Sequence, residues 1–486
     1  MRADAGSFDR WTGPDRLPWL LLGIATLLVF FIGVGERQMH GTAAFYASMS
    51  RQIADTGVWL PLHRGPEPYF LKPPLVFWLT ALSIELLGPT NLAASLWPRL
   101  FGVGCVALTA LIARRAYGAA AGVLAGLACI TNATLLETAN TLRLDTALLF
   151  FMLLSLWAYL SPRGRWRPPV FYGAIALAVL AKGPQGFLPL ALAGLHAWSA
   201  GRWTRPARAD ARPWLAWAPL LALPLLYYGD HVLRFGSDFF ARLANDASMK
   251  EVFGPLDHAQ QALEGNFIDP LLRWLPFSPF MVWGVWRTFG RLRRETHREA
   301  RALDLTLVAW IGVLLLLLSL RESYRMRYVM LVLPPLAVLG GREIARLLGD
   351  RIPARATRIA AAALVLALLL LASLRPSPDP TDGMAGVAIM VRLFDEQLVD
   401  PDAPVPVLLP EGEEVARHGM QNSLRDWIHF YLGRPARAVH PSDARAAPPG
   451  QLYFVYWDHI EQMRGSLPIR VLIHSRRAYL AERIPK

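Results

Sequence analysis

The chain has 486 residues, 54% hydrophobic and only 18% charged, where a soluble domain carries roughly 25% charge. With a mean hydropathy of +0.30, this composition excludes a soluble multidomain protein and indicates an integral membrane protein. The net charge of +13 would suggest a nucleic-acid binder in a soluble chain. Here the basic residues gather in short loops between apolar runs, the placement that orients a membrane protein, so no nucleic-acid partner is expected.

The first apolar run, 17–34, follows Arg2, Arg10 and Arg16. A signal peptide and an uncleaved anchor share that layout, and the anchor is favoured because many further runs follow. A spanning helix needs about 20 largely apolar residues, and about 11 to 13 such helices are expected. The runs lie near 17–34, 92–112, 117–136, 146–160, 168–181, 184–200, 213–229, 271–287, 303–320, 328–340 and 358–374. Cys105 and Cys129 fall inside them and read as small buried hydrophobes. With the N-terminus in the cytoplasm, the Arg-rich loops after Ile112, Leu160, Ser199, Trp286 and Gly340 all fall inside, as the positive-inside rule requires. The outer face then receives a first loop, 35–95, a second, 228–270, the turns around Asp145 and Lys182, the Arg321 to Arg327 cluster, and everything after Arg375.

From Pro376 the pattern changes. Pro376, Pro378 and Pro380 form a linker, after which strands are expected at 405–409, 452–456 and 469–473 and helices at 386–398 and 423–432. The division expected is an all-α polytopic membrane domain, 1–375, and a small α/β domain, 376–486, on the outer face. No metal-ligand spacing, repeat or Gly-rich phosphate loop is present, so neither a metal nor a cofactor is expected.

The most informative stretch runs from Tyr46 to Leu79. It contains an amphipathic segment, the helix stop Gly57, and Glu67-Pro68-Tyr69-Phe70-Leu71-Lys72-Pro73-Pro74 before another apolar run. A lysine followed by two prolines at a helix start is fixed at headgroup depth, where it either snorkels or holds a lipid phosphate. Asp145, after Arg143-Leu144 at the start of a span, is either a helix N-terminal carboxylate or an acid-base residue. Lys182 before Gly183-Pro184 either marks a helix end or faces an anion, and the Arg321, Glu322, Arg325, Arg327 group is either a solvated loop or a phosphate contact.

These residues, in this order, closely resemble the bacterial aminoarabinose-transferase (ArnT) and protein O-mannosyltransferase (PMT) superfamily, membrane glycosyltransferases of the GT-C fold. Members there read Y-A-E-x-A-R-E-M-x-x-(S/T)-G-D-W and Y-F-x-K-P-P in the first outer loop. This chain matches at Tyr46-Ala47, Gly57, Trp59 and Tyr69 to Pro74, then at Arg143-Leu144-Asp145, Lys182-Gly183-Pro184, and Arg327-Tyr328 followed by Leu333-Pro334-Pro335. The resemblance implies a GT-C fold and transfer of a sugar from an undecaprenyl-phosphate donor, on the periplasmic face of the bacterial inner membrane, to lipid A, another glycan or a protein. It implies that Lys72 contacts the lipid phosphate, that Lys182 and Tyr328 line the donor region, and that Arg143 and Asp145 stand beside the active site. Tyr46, Tyr69 and Arg327 join them as candidate donor-binding residues.

One departure stands out. The family's Asp-Glu pair before the motif tyrosine, which supplies the catalytic base, is Thr42-Ala43 here, and the Glu of Y-A-E is Ser48. Thr and Ala accept no proton at neutral pH. The role passes to Glu36 or Asp145, or the acceptor is acidic enough to need little help. Otherwise the protein is a silent lipid-phosphate binder assisting another transferase. A lipid or solute transporter is the third reading, weakened by the absence of mid-span charges and of related halves.

Overall fold

The computed structural model describes residues 16–32, 39, 41–161, 164–202, 214–245, 265, 268–319, 326–348, 404–408, 426–439, 441–456, 467–474 and 478–484. The expected span 358–374, the linker, the helix 386–398 and the Arg321, Glu322 and Arg325 positions lie outside them, as does Glu36.

Most described elements are helices: α1 (Arg16–Phe31), α2 (Thr42–Thr56), α3 (Leu75–Leu87), α4 (Asn91–Tyr117), α5 (Ala119–Ile130), α6 (Ala133–Ala139), α7 (Asp145–Leu160), α8 (Arg167–Lys182), α9 (Leu188–Ser199), α10 (Ala222–Asn245), α11 (Asp269–Arg273), α12 (Ser278–Arg294), α13 (Arg298–Ser319), α14 (Met326–Val329) and α15 (Leu333–Leu348). Among the described residues α4, α13 and the continuous run Met326–Leu348 are long and apolar enough to cross a membrane, which makes this a membrane protein. The run expected as one span at 117–136 is broken into α5 and α6, bent by 62°. Asn132 causes the break: its side chain accepts from the Leu135 N–H at 2.9 Å and caps a new helix. Pro184 likewise separates α8 from α9 through a 3₁₀ turn at Pro184–Phe187. The apolar run after Lys72-Pro73-Pro74, placed by the sequence in the first outer loop, is the helix α3. The run expected to end at Gly229 continues as α10 and kinks at Gly236, where φ is 51°.

The C-terminal part is a five-stranded mixed sheet of β3 (Val405–Leu408), β4 (Ala436–Val439), β5 (Leu452–Tyr456), β6 (Ile469–His474) and β7 (Ala478–Arg483), in the order β4-β3-β5-β7-β6. A two-residue pair, β1 (His63–Arg64) with β2 (Glu67–Pro68), lies in the first outer loop. β3 runs parallel to β4 and β5, whereas β7 is antiparallel to its neighbours. Strands 405–409, 452–456 and 469–473 were legible as apolar runs. β4 and β7 were not, because Ala436-Arg437-Ala438 and Ala478 to Arg483 lack a run of large apolar side chains. Residues 426–432 are helical, as expected for the end of 423–432.

The sheet and this segment share a core with the helical body: Val405, Trp427, Phe430, Phe454 and Leu480 pack in the same cluster as Met49 and Leu62. Polar contacts fasten the join. Arg64 meets Asp426 at 2.8 Å, Arg51 donates to the Phe430 carbonyl at 2.7 Å, and Ser48 bonds His429 at 2.9 Å. The Tyr431 hydroxyl accepts from the Met39 N–H at 2.8 Å and donates to Asn91.

Close backbone approach sets α15 against α5. A Cβ added at Gly341 would lie 2.8 Å from the Ala121 carbonyl oxygen and 2.9 Å from the Ala125 nitrogen, both backbone atoms that cannot step aside. Gly341→Ala should therefore destabilise the protein by about 1–3 kcal/mol. Gly194→Ala, where nothing lies within 4 Å, should not. The apparent unfolding temperature of the two variants in detergent checks this, and equal behaviour would contradict the packing described.

Candidate functional site

Asp145 opens α7, where the N-terminal end of the helix dipole favours its negative charge. Its side chain is almost fully buried, so an isolated carboxylate would be costly there. Two cations from distant parts of the chain compensate it. Lys182, the last residue of α8, forms a salt bridge to one carboxylate oxygen, and Arg327 of α14 approaches the other at 3.9 Å. Gly183, with φ of 114°, turns the chain immediately after Lys182, a conformation that a residue with a Cβ rarely adopts.

Tyr328 completes the cluster. Lys182 Nζ lies 4.3 Å and Arg327 Cζ 5.0 Å from the centre of its ring, so both cations are within cation–π distance of one aromatic ring. Tyr46 of α2 is buried beside the same groups. Burial, reinforced by the Asp145 charge, pushes its phenol up, against the opposing pull of Arg143 and Arg327. Tyr46 therefore stays protonated and serves as a hydrogen-bond donor or an apolar wall.

Aromatic packing connects the first outer loop to this cluster. Tyr46 meets Phe77 of α3 edge-on at 5.2 Å, and Tyr69 meets Phe45 edge-on at 5.3 Å. Tyr69 is thus a wall residue one layer from the ion cluster. Lys72, in the turn before α3, accepts through its backbone carbonyl from the Tyr227 hydroxyl at 3.4 Å. The next residue, Tyr228, stands over the Lys182 turn: a Cβ at Gly183 would lie 3.7 Å from its hydroxyl. Consecutive tyrosines of α10 thereby place the Lys72 motif and the Lys182 motif on neighbouring walls of one site. Sequence reading missed this pair. Its signal was two tyrosines at the end of an apolar run, a pattern that usually marks only the membrane interface.

The structure brings Asp145, Lys182, Arg143, Arg327, Tyr328 and Tyr46 within charge or ring contact of one another. Thr42 and Ala43 form the start of α2, and Ala43 is buried. Among the described residues no group of three His, Cys, Asp or Glu side chains is arranged to hold a metal ion.

Comparison with known proteins follows the same outline. Residues 71–228 match the family model for dolichyl-phosphate-mannose-protein mannosyltransferases. An uncharacterized protein of Aquifex aeolicus is 29% identical over 176 residues, a segment covering 35% of this chain and 35% of that protein. The chain thus aligns with about a third of the curated relative's length. Among solved structures, ArnT from Cupriavidus metallidurans bound to undecaprenyl phosphate superposes with a TM-score of 0.68 at 17% identity, over 96% of this chain and 99% of that one. The apo form of the same protein gives 0.64 at 18% identity, over 96% and 99%. The Archaeoglobus fulgidus oligosaccharyltransferase, in complex with Zn and sulfate, gives 0.50 at 14% identity, over 86% and 61%. The fold is that of these GT-C glycosyltransferases, and the resemblance carried by the sequence motifs to the PMT and ArnT-like enzymes holds.

The ion cluster predicts its own energetics. Removing one partner of a buried pair strands the other, at a cost of about 3–5 kcal/mol. Lys182→Met should therefore lower stability more than the double variant Lys182→Met/Asp145→Asn, in which the almost fully buried carboxylate is no longer left short of a cation and only the partly exposed Arg327 loses a partner. A double-mutant cycle of unfolding midpoints in detergent reads this directly, and additive losses would show that the pair is not coupled.

Proposed function

We propose that this protein transfers a sugar from a polyprenyl-phosphate donor to an acceptor at the outer face of the membrane. The observation that carries the reading is the buried Asp145 neutralised by Lys182 and Arg327 at one end of the helical body, beside the Lys72 turn. Among the described residues cations outnumber carboxylates there, and a phosphate-bearing ligand would supply further negative charge. The fold shared with ArnT and the family match over residues 71–228 support the same class of chemistry.

In this reading Lys72 holds the lipid phosphate, and Tyr46, Tyr69, Arg143 and Tyr328 line the donor site. The acceptor oxygen attacks the anomeric carbon, the bond from that carbon to the phosphate oxygen breaks, and the electron pair leaves with the polyprenyl phosphate. Lys182 and Arg327 stabilise the charge that develops on that phosphate. As they turn to the phosphate, they release Asp145, which takes the acceptor's proton. Glu36, just ahead of α2, is the competing base. The charge stabilisation comes from side chains, so we expect transfer to be metal-independent and unaffected by EDTA. The C-terminal sheet, joined to α2 and the first outer loop, serves as a cap on the periplasmic side of a bacterial inner membrane.

The test is sugar transfer by purified protein from a panel of polyprenyl-phosphate sugars to crude envelope lipid. Asp145→Asn should lower kcat by about 100-fold or more with little change in donor KM. Lys72→Ala should raise donor KM by about tenfold, the worth of one charge-assisted hydrogen bond. Activity that survives Asp145→Asn and disappears in Glu36→Gln would move the base to Glu36. A second reading has one observation in its favour: with Ala43 buried at the family's acidic position, Asp145 is already held by two cations. A parent protein that binds polyprenyl phosphate through Lys72 and transfers nothing would establish that silent-binder reading.

A further inference from the structure

α10 carries four rings at intervals of four residues, Tyr227, His231, Phe235 and Phe239, the spacing that lines side chains along a helix. The first outer loop inserts Phe70 against them. Its ring lies 4.4 Å from Phe235, 5.8 Å from His231 at 88°, and 6.1 Å from Phe239, which stands beyond the kink at Gly236. Phe70 is only 4% exposed, and Lys72 follows it by two residues. Lys72 is held from the same helix, since the Tyr227 hydroxyl donates to its carbonyl at 3.4 Å and the Tyr227 ring packs 4.3 Å from His231. The turn that carries Lys72 is therefore seated on α10 through Phe70 and through Tyr227, and His231 touches both.

His231 is the odd member of this stripe. It has no exposed surface, and its Nδ1 lies 3.0 Å from the Tyr227 carbonyl oxygen, which can only accept, so Nδ1 carries the proton. In the neutral ring Nε2 is then an acceptor, and that buried atom has no hydrogen-bond partner among the described residues. A buried acceptor without a partner lowers stability. Phenylalanine would fill an aromatic slot without that penalty, so space-filling does not account for an imidazole here. What the imidazole adds is the Nδ1–H bond, which ties the ring to the backbone of the residue that grips Lys72.

We propose that His231 is a positioning residue for Lys72: through Tyr227 and Phe70 it sets where the lysine ammonium meets a polyprenyl phosphate. The inference rests on the reading of Lys72 as the phosphate contact and deepens it. His231 touches neither the phosphate nor the reacting atoms, so its whole effect on binding passes through Lys72.

The test measures binding of undecaprenyl phosphate to the full-length protein in detergent by native mass spectrometry. It compares the parent, His231→Phe, Tyr227→Phe and Lys72→Ala, with each of the first two variants also combined with Lys72→Ala. His231→Phe and Tyr227→Phe should each weaken binding about fivefold, the worth of one hydrogen bond. Neither should weaken it further in the Lys72→Ala background. Without lipid, the unfolding midpoint of His231→Phe should stay at or above the parent value, because the unpartnered Nε2 is gone, while amide hydrogen exchange over residues 69–72 quickens. A role in packing alone would lower the midpoint and show no coupling to Lys72. Tyr227→Phe deletes one hydroxyl and cannot overpack, so it decides the matter if His231→Phe disturbs the core. If Lys72→Ala weakens binding and both variants bind as the parent does, or if their losses add in full to that of Lys72→Ala, the proposal is overturned and the Lys72 reading stands. If Lys72→Ala itself binds as the parent does, the Lys72 reading falls and the proposal falls with it.

Discussion

A carboxylate kept ionised where water is scarce is the constraint around which the candidate site is built. Asp145 cannot be buried alone, because the desolvation penalty of a single ion exceeds what one helix terminus returns. The fold meets this by bringing the end of α8 and the start of α14 onto the first turn of α7, so that Lys182 and Arg327 reach the two carboxylate oxygens. The requirement explains local features that otherwise read as irregularities. Gly183 turns the chain sharply enough to leave Lys182 at a helix end. The bend between α5 and α6 belongs to the same region, since α14 packs against α6.

The same solution appears at the opposite end of the run Met326–Leu348. Arg342, buried in α15, meets Asp304 of α13 at 3.3 Å and its neighbour Glu343 at 2.9 Å, while Arg291 of α12 holds the second Asp304 oxygen at 2.9 Å. The Tyr117 hydroxyl, at the end of α4, donates to Asp304 at 2.5 Å. One helical run is therefore pinned at both ends by buried carboxylate and arginine contacts, through Arg327 at one and Arg342 at the other. Between them, Gly341 lets its backbone touch α5. A helix held this way has little freedom to slide, so the Arg327 to Asp145 geometry is set by packing far from the site as well as within it.

Much of the site was legible in the sequence because its charged members stand beside residues that restrict the backbone. Lys72 precedes two prolines, Lys182 precedes Gly-Pro, and Asp145 starts an apolar run, so each was marked by its immediate neighbours. The C-terminal strands with large apolar side chains were visible for the same local reason. What could not be read were relations between distant segments. Nothing near Tyr227 and Tyr228 announces that they touch the Lys72 turn and the Lys182 turn, and nothing near His429 announces Ser48. The break at Asn132 was missed because hydropathy averaged over a window does not register a single capping side chain. The division of the apolar runs into shorter helices has the same origin.

The loss of acidic residues from the first outer loop gains a physical sense from these contacts. Ser48, where the family has Glu, is bonded to His429, and Arg51 and Arg64, which follow it in the chain, reach the Phe430 carbonyl and Asp426. Carboxylates at Ala43 and Ser48 would be buried, the second of them in this join, and each would need a counter-charge. At Ser48 the position that is acidic in the family is here an attachment point for the C-terminal part of the chain. Among the described residues the carboxylate left beside these cations is Asp145, which Lys182 and Arg327 share. A site with that balance of charge suits a ligand that brings its own negative charge, because such a ligand would compete with Asp145 for the two cations. In the reaction proposed for this site, binding of the phosphate and release of Asp145 from its cations would be one event, which would tie proton transfer to the presence of a phosphate-bearing donor.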